Sequence, residues 1–268
     1  EEDNKEQIEE IMKILPEKAR SISSLRELLD GALNQYEFNY VKWTAEYTAI
    51  HCKQSIKKYL GDALENNWAE EFIAEKKLKE NIKSRVYEAK SIAMRIYNEN
   101  KDTKTKTEIQ KMIKDALRDI RFNDGRGYFF IYSFDYKCIL LPISKNLEGS
   151  SFYNFKDSHG TFLTRDIIKQ VKEEKEGFLT WYYPKPDDST KSYKKIGFNV
   201  YFEPYDWFIG TGEYVVDFEE MVKRDVLEYI SKLVPNKNNY FFILDYNKKT
   251  LFHVIDDLIN KDAQNVTN

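Results

Sequence analysis

The stretch Gly127-Tyr128-Phe129-Phe130-Ile131-Tyr132 decides the fold class, because the pattern of the chain changes there. Before it, apolar residues recur every three or four positions, which is the period of an amphipathic helix. The run itself is aromatic and β-branched, a composition that is typical of a buried strand. We therefore expect a helical first part and a second part built on a sheet.

Composition changes at the same place. Residues 1–120 contain 10 aromatic side chains and two glycines, whereas residues 121–268 contain 30 and eight. The whole chain is 41% hydrophobic and 32% charged, which favours a globular protein. Its net charge of -3 gives no electrostatic reason to expect nucleic acid as a partner. No apolar run approaches the roughly 18 residues that span a bilayer, so we expect any membrane anchor to lie outside this chain.

Several helices are predicted before the change of pattern. The clearest runs from Leu78 to Tyr97, with an apolar stripe at steps of three and four. A short helix over Glu108–Arg118 should follow, capped by Thr105 or Thr107. Residues 1–75 read as further helices, over Gln7–Leu15, Ser24–Leu33 and Val41–Leu64.

The second part reads as two strands, a helix and three more strands. The strands are predicted over Tyr128–Tyr132, Cys138–Leu141, Gly177–Tyr183, Lys195–Phe202 and Trp207–Tyr214, with a helix over Leu163–Glu174 and a hairpin loop over Pro184–Ser189. A strand pair, a helical connection and a three-strand meander follow one another in PAS domains. The sequence therefore predicts an α+β fold: a PAS-like antiparallel sheet with a long N-terminal helix, preceded by an all-helical segment.

A weaker copy of the strand signal occurs near the end of the chain. Tyr-Phe-Phe-Ile begins at Tyr128 and again at Tyr240, and a helix over Val226–Leu233 precedes the second copy. Each copy is followed by a turn that contains lysine and by another apolar run. This repeat predicts a second module that starts within residues 218–268.

No catalytic or metal-binding motif stands out, so we expect a protein that is not an enzyme and uses no cofactor or metal. The sequence lacks the zinc, nucleophile-elbow and phosphate-loop patterns. Asp157 stands two residues before His159, and a polar turn closed by Gly160 is the favoured interpretation over a catalytic or metal role.

One lysine is surrounded by aromatic residues in the predicted sheet. Because side chains alternate along a strand, Trp181 and Tyr183 share a face, as do Tyr128, Phe130 and Tyr132. Lys195 begins the next strand, near Phe198. A sheet face that combines aromatic rings with one cation suits a small carboxylate or an amino acid. The alternative is that the rings are ordinary core and that Lys195 points to solvent.

Ten short segments keep a common order and spacing over roughly residues 76–217: Ile120-Arg121, Gly127–Phe130, Leu141-Pro142, Leu147-Glu148-Gly149, Asp157 with Gly160, Gly177-Phe178, Trp181, Tyr183–Pro186, Lys195–Phe198 and Pro204–Tyr214. Through these segments the sequence resembles the Cache superfamily of bacterial sensors, and specifically its Cache_2 type. Residues 226–268 look like the start of a second Cache module, as in double-Cache sensors.

The resemblance implies an extracytoplasmic, periplasmic sensor domain of a membrane receptor: a histidine kinase, a chemoreceptor or a cyclase. Such domains bind small metabolites, often carboxylates or amino acids, in the PAS-like unit, and we expect a homodimer through the long helix. The expected ligand-binding residues are Tyr128, Phe130, Tyr132, Leu141, Trp181, Tyr183, Lys195 and Phe198. Many relatives carry His-Pro where this chain has Leu141-Pro142, so one polar group of the usual pocket is missing.

The predicted organisation has three parts: a helical segment over 1–75, a Cache domain over 76–217, and a linker helix with a truncated second module over 218–268. Two alternatives remain open. Tyr36–Trp43 and Tyr59–Trp68 vaguely resemble the helical tail of plasmid replication initiators, although residues 1–75 carry 9 basic and 16 acidic side chains. The aromatic surface could instead serve a protein-interaction scaffold.

Overall fold

The computed structural model of the protein describes residues 2–185, 188–233, 242–244, 248–252 and 259–261. The chain divides into two compact units, Glu1–Val215 and Val216–Asn268. The helices are α1 (Glu2–Ile14), α2 (Ser23–Leu33), α3 (Phe38–His51), α4 (Ile56–Glu65), α5 (Glu70–Asn100), α6 (Lys106–Arg118), α7 (Leu163–Glu174) and α8 (Val215–Leu233). The strands are β1 (Phe130–Ser133), β2 (Cys138–Leu140), β3 (Glu176–Lys185), β4 (Asp188–Phe202), β5 (Trp207–Tyr214), β6 (Ile243–Leu244) and β7 (Thr250–Phe252).

Helices α1–α4 enclose an apolar core of their own. Ile11, Leu25, Leu29 and Leu60 are fully buried in it. The single helix predicted over residues 41–64 is wrong, because the structure has two helices there. The backbone leaves the helical region after α3, and the Ser55 hydroxyl accepts a hydrogen bond from the Lys58 amide to cap α4. The helical spacing continues on both sides of this break, so the apolar pattern alone did not reveal it.

The long helix α5 spans the predicted segment 78–97 and extends beyond both of its ends. Its predicted apolar stripe is buried, from Leu78 through Ile82 and Val86 to Ala93. The predicted short helix is α6, and Thr105 forms a complete capping box with Glu108. Both helical predictions are therefore confirmed.

One antiparallel sheet of five strands forms the centre of the first unit, in the order β2-β1-β5-β4-β3. The predicted strand pair is β1 with β2, and the predicted meander is β3-β4-β5. The predicted hairpin loop over Pro184–Ser189 is shorter in the structure. Strand β3 continues to Lys185, and β4 begins at Asp188. This α+β architecture with its long helix confirms the predicted PAS-like fold class.

The second unit contains the described part of the predicted repeat. Helix α8 includes the predicted helix over 226–233, and β6 pairs with β7 in antiparallel fashion through Ile243 and Phe252. Residues 239–241 and 245–246 of the predicted strand lie outside the described residues. The proposed boundaries after residues 75 and 217 stay predictions. Across the described ranges, none of the helices combines the length and the apolar character that a membrane crossing needs.

Candidate ligand-binding site

Three strands bring one basic and two aromatic side chains into a single row. The register pairs Trp181 of β3 with Lys195 of β4, and Lys195 with Tyr214 of β5. Directly opposed residues of neighbouring strands point to the same face of a sheet. Trp181, Lys195 and Tyr214 therefore share one face, and we call this group the lysine row.

The Lys195 ammonium lies over two aromatic rings. Its Nζ is 4.5 Å from the ring centroid of Tyr214 and 5.5 Å from that of Tyr128. The residue is only 8% exposed, so this cation sits in an environment of reduced dielectric, where interactions with an anion are strengthened. Burial raises the pKa of Tyr128 above the usual tyrosine value, which is itself well above neutral pH, so its protonated hydroxyl can donate one hydrogen bond.

Two glycines make room for the indole of the lysine row. Gly197 and Gly212 form the next row of the same face. A Cβ at Gly197 would lie 2.4 Å from Trp181 Cη2, and one at Gly212 would lie 2.8 Å from the same atom. The far end of the Trp181 indole therefore lies over Gly197 and Gly212, and any larger residue at these two positions would displace it.

Tyr214 also ties the strands together at this end of the sheet. Its hydroxyl donates to the Pro184 carbonyl at 2.8 Å, which joins β5 to the tip of β3. Tyr183 lies beside this tip with 43% of its surface exposed. Tyr214 was not among the predicted site residues. Tyr214 ends β5, and only the pairing of β5 with β4 shows that it lies beside Lys195. The sequence alone does not give that pairing.

Three predicted site residues lie deeper on the same face. Phe130, Tyr132 and Leu141 belong to an apolar cluster that includes Ile167 and Val171 of α7. The Tyr132 ring stacks on Phe208 at 5.5 Å, and burial raises the pKa of Tyr132. These side chains pack the floor between the sheet and α7 rather than stand beside Lys195.

The structure corrects the placement of Phe198 beside the other predicted site residues. Phe198 lies three residues after Lys195, and an odd separation along a strand puts it on the opposite face. There its ring contacts α5, with Tyr87 at 6.1 Å and the Lys83 ammonium at 5.0 Å. Phe198 therefore belongs to the interface between α5 and the sheet.

The loop around Asp157 has a structural arrangement. Asp157 accepts hydrogen bonds from the backbone amides of His159, Thr161 and Tyr182 at 2.8–3.1 Å. Burial would raise the pKa of Asp157, but these three donors outweigh it and lower the pKa. The turn closes at Gly160, whose φ of 84° is left-handed. Within the part of the chain that the structure describes, no group of three or more His, Cys, Asp or Glu side chains could hold a metal ion.

An ion pair fixes the segment that carries Leu141. Glu148 accepts two hydrogen bonds from Arg118 at 2.8 and 2.9 Å and one from the Leu141 amide at 3.0 Å. Lys114 lies 3.3 Å from the same carboxylate. Burial opposes ionisation of Glu148, but these donors prevail and lower its pKa to about 2. The pair connects α6 to the end of β2.

The family of the chain follows from a match over nearly its whole length. The family model dCache_2, described as a Cache domain, matches residues 6–268. The chain belongs to the Cache family. This confirms the resemblance that the sequence motifs indicated. The match also includes most of the helical residues 1–75, which the motifs did not cover.

Individual relatives are more distant. The chain is 25% identical over 117 residues to the methyl-accepting chemotaxis protein McpP of Pseudomonas putida, and this covers 44% of the chain but only 21% of that protein. A methyl-accepting chemotaxis protein from Vibrio parahaemolyticus gives a TM-score of 0.49 at 26% identity, over 56% of this chain and 96% of the other. A structure described as the basis of carboxylic acid recognition by a Cache chemosensory domain gives 0.48 at 26% identity, over 51% and 92%.

Proposed function

We propose that this Cache domain is the extracytoplasmic, periplasmic sensor of a bacterial membrane receptor and binds a small carboxylate or amino acid at the lysine row. The observation that carries the proposal is the buried Lys195 ammonium above the rings of Tyr128 and Tyr214. A largely buried cation with a protonated phenol beside it attracts an anion of small size. The carboxylic acid recognised by one structural neighbour belongs to the same chemical class.

The charge and shape of the site favour an anionic group at one end of the ligand. Lys195 supplies the charge, and the Trp181 indole supplies an apolar wall over Gly197 and Gly212. Leu141 offers no polar side chain, and its amide already donates to Glu148. The ligand's carboxylate therefore depends on Lys195 and the Tyr128 hydroxyl, because the Tyr214 hydroxyl already donates to the Pro184 carbonyl. We propose binding without catalysis, since the row contains no nucleophile paired with a base.

The signal would pass from the sheet to α5. Three of the lysines that join α5 to the sheet pair with acidic side chains across the interface: Lys83 with Glu176 at 2.7 Å, Lys90 with Glu203 at 3.3 Å, and Lys194 with Glu75 at 2.6 Å. A ligand that binds one arrangement of the meander more tightly shifts the population toward it. Helix α5 packs on the face of the sheet opposite to the lysine row, so a change in the arrangement of the meander would move α5. We propose that this movement carries the signal to the output domain.

Receptor context and assembly belong to the same proposal. We propose attachment to the membrane through segments outside this chain, an output domain of the chemoreceptor, histidine kinase or cyclase type, and a homodimer through α5. The replication-initiator alternative is less favoured, because residues 1–75 are acidic and the Cache match begins at residue 6. The scaffold alternative predicts a protein partner at the aromatic face in place of a small molecule.

A pair of lysine substitutions tests the site. Calorimetry against a panel of short carboxylates and amino acids identifies a ligand first. Lys195→Met should then weaken its binding by about 10–100-fold, the effect of losing one charge-assisted hydrogen bond. Lys194→Met is the matched control, because Lys194 is the adjacent residue on the other face and pairs with Glu75.

Two results would contradict the proposal. One is a panel in which no compound binds or raises the melting temperature. The other is equal affinity in the Lys195→Met and wild-type proteins, which would place the ligand away from the lysine row.

A further inference from the structure

Asn199 is a fully buried amide on the face that carries the lysine row. Its exposure is 0%, and neither Oδ1 nor Nδ2 has a hydrogen-bond partner in the described structure. Buried amides are nearly always hydrogen-bonded, because the loss of water is otherwise not offset. The unfilled positions of Asn199 therefore indicate a bound group.

Gln170 of α7 brings a second amide to the same place. Asn199 is paired with Gly177 of β3, and a Cβ at Gly177 would lie 2.1 Å from Gln170 Cδ. Gln170 Nε2 donates to the Phe178 carbonyl at 3.2 Å, while Oε1 is buried without a partner. Directly paired strand residues have Cβ positions about 4.5–5.5 Å apart. One small group could therefore bridge the two amides.

We propose that Asn199 and Gln170 form a buried site for one small neutral hydroxyl group, supplied by water or by the alcohol group of a ligand. The unfilled positions comprise two acceptors, Asn199 Oδ1 and Gln170 Oε1, and one donor, Asn199 Nδ2. A hydroxyl group donates and accepts, whereas a carboxylate only accepts.

The surroundings favour a neutral group over a cation. Gly210 follows Asn199 in the same row, and a Cβ there would lie 2.5 Å from the Phe130 ring. The cluster around Phe130 and α7 is apolar, and two neutral amide oxygens do not compensate the cost of burying a charge in it.

The amide pair is separate from the lysine row. Asn199 lies four residues beyond Lys195, which is about 13 Å along a strand. A hydroxyl bound here would connect α7 to the sheet under the ligand site. If the bound group is water, the site does not depend on the proposed function. If the group is a hydroxyl of the ligand, this inference rests on the proposed function.

A double-mutant cycle tests the site without any ligand. Asn199→Leu and Gln170→Met keep the side-chain size and remove the amides. If both amides hold the same group, each substitution lowers the melting temperature, and the double variant loses less than the two single losses combined. Glu174→Met, at an exposed position of α7, serves as the control. Unchanged or higher stability of Asn199→Leu, or strictly additive losses, would overturn the proposal.

A high-resolution crystal structure of the wild-type protein gives an independent answer if a variant fails to fold. An oxygen-sized density peak bonded to Asn199 is expected, and its absence, both with and without a ligand, would overturn the proposal. Hexanoate and 6-hydroxyhexanoate then separate the two sources. A larger thermal shift for the hydroxy acid in the wild type, but not in Asn199→Leu, assigns the group to the ligand. Equal shifts assign it to water. If neither acid shifts the melting temperature, neither acid is a ligand of the protein. The double-mutant cycle, which needs no ligand, then decides whether the site exists.

Discussion

The environment of Lys195 follows from its position in β4, because successive side chains of a strand point to opposite faces of the sheet. Residues 195, 197 and 199 face α7, whereas Ile196 and Phe198 face α5. Of the first set, the sequence analysis predicted only Lys195 at the site. The same period of two should have excluded Phe198 from it. Asn199 could not be identified, because nothing in a sequence shows that a buried amide will lack its partners.

The close contact between Gly197 and Trp181 gives the first prediction. Gly197→Ala should destabilise the protein by about 1–3 kcal/mol, because the added methyl group overlaps the indole ring. It should also weaken ligand binding, since Trp181 forms the wall beside Lys195. Urea unfolding measures the change. Gly31→Ala is the control, because nothing beyond its chain neighbours and the backbone of its own helix lies within 4 Å of a Cβ there. An unchanged free energy of unfolding for Gly197→Ala would contradict the packing described here.

The carboxylate of Glu148 gives a prediction about pH. Its pKa is lowered from 4.5 to about 2 in the folded protein, so its contribution is present above pH 4.5 and is lost as the pH falls toward 2. The contribution should be on the order of 3 kcal/mol. The difference in unfolding free energy between wild type and Glu148→Gln should therefore be large at pH 6 and shrink at pH 3. A difference for Glu148→Gln that stays constant between pH 6 and pH 3 would refute the assignment.

At the level of elements, local chemistry determined how well each one could be predicted. Helix α6 begins with a capping box, and α7 begins and ends at the predicted residues. The break between α3 and α4 was missed, because a weak cap at Ser55 interrupts a pattern that continues on both sides. Strand β4 extended into the expected loop, because its pairing with β3 outweighs the turn-forming composition there.

The cap of α6 gives a prediction at this scale. Thr105→Ala removes the hydroxyl that accepts from the Glu108 amide at 3.3 Å, and it should cost about 1 kcal/mol of stability. Thr107→Ala is the control, because Thr107 was the other candidate cap and lies within the helix. Chemical denaturation of both variants compares them. Equal losses would mean that the capping box contributes nothing.

For the whole molecule, the sequence predicted the long helix and the succession of strands and helices along the chain, because both follow from strong periodic patterns. It did not predict that β1 pairs with β5 in the middle of the sheet. It did not predict that Phe130, Tyr132 and Leu141 would pack the floor beneath α7, because a shared face does not reveal depth. The family match gives the chain its place among Cache domains, while the proposed choice of ligand rests on Lys195 and the aromatic side chains around it.

The proposed dimer is tested at the same scale. Ser84 and Ser91 are exposed on α5, seven residues apart and therefore on one face of the helix. If α5 forms the interface, Ser91→Arg should shift the protein from dimer toward monomer in sedimentation velocity. Glu173→Arg, on the exposed face of α7, should leave the sedimentation coefficient unchanged. An unaltered dimer in Ser91→Arg would place the interface elsewhere.

The most direct test of the central claim is a crystal structure of the protein with the ligand that calorimetry identifies. The account predicts ligand density within hydrogen-bond distance of Lys195 Nζ, beside Tyr128 and Tyr214 and against the Trp181 indole. Ligand density on the α5 face near Phe198, or anywhere away from the lysine row, would contradict it.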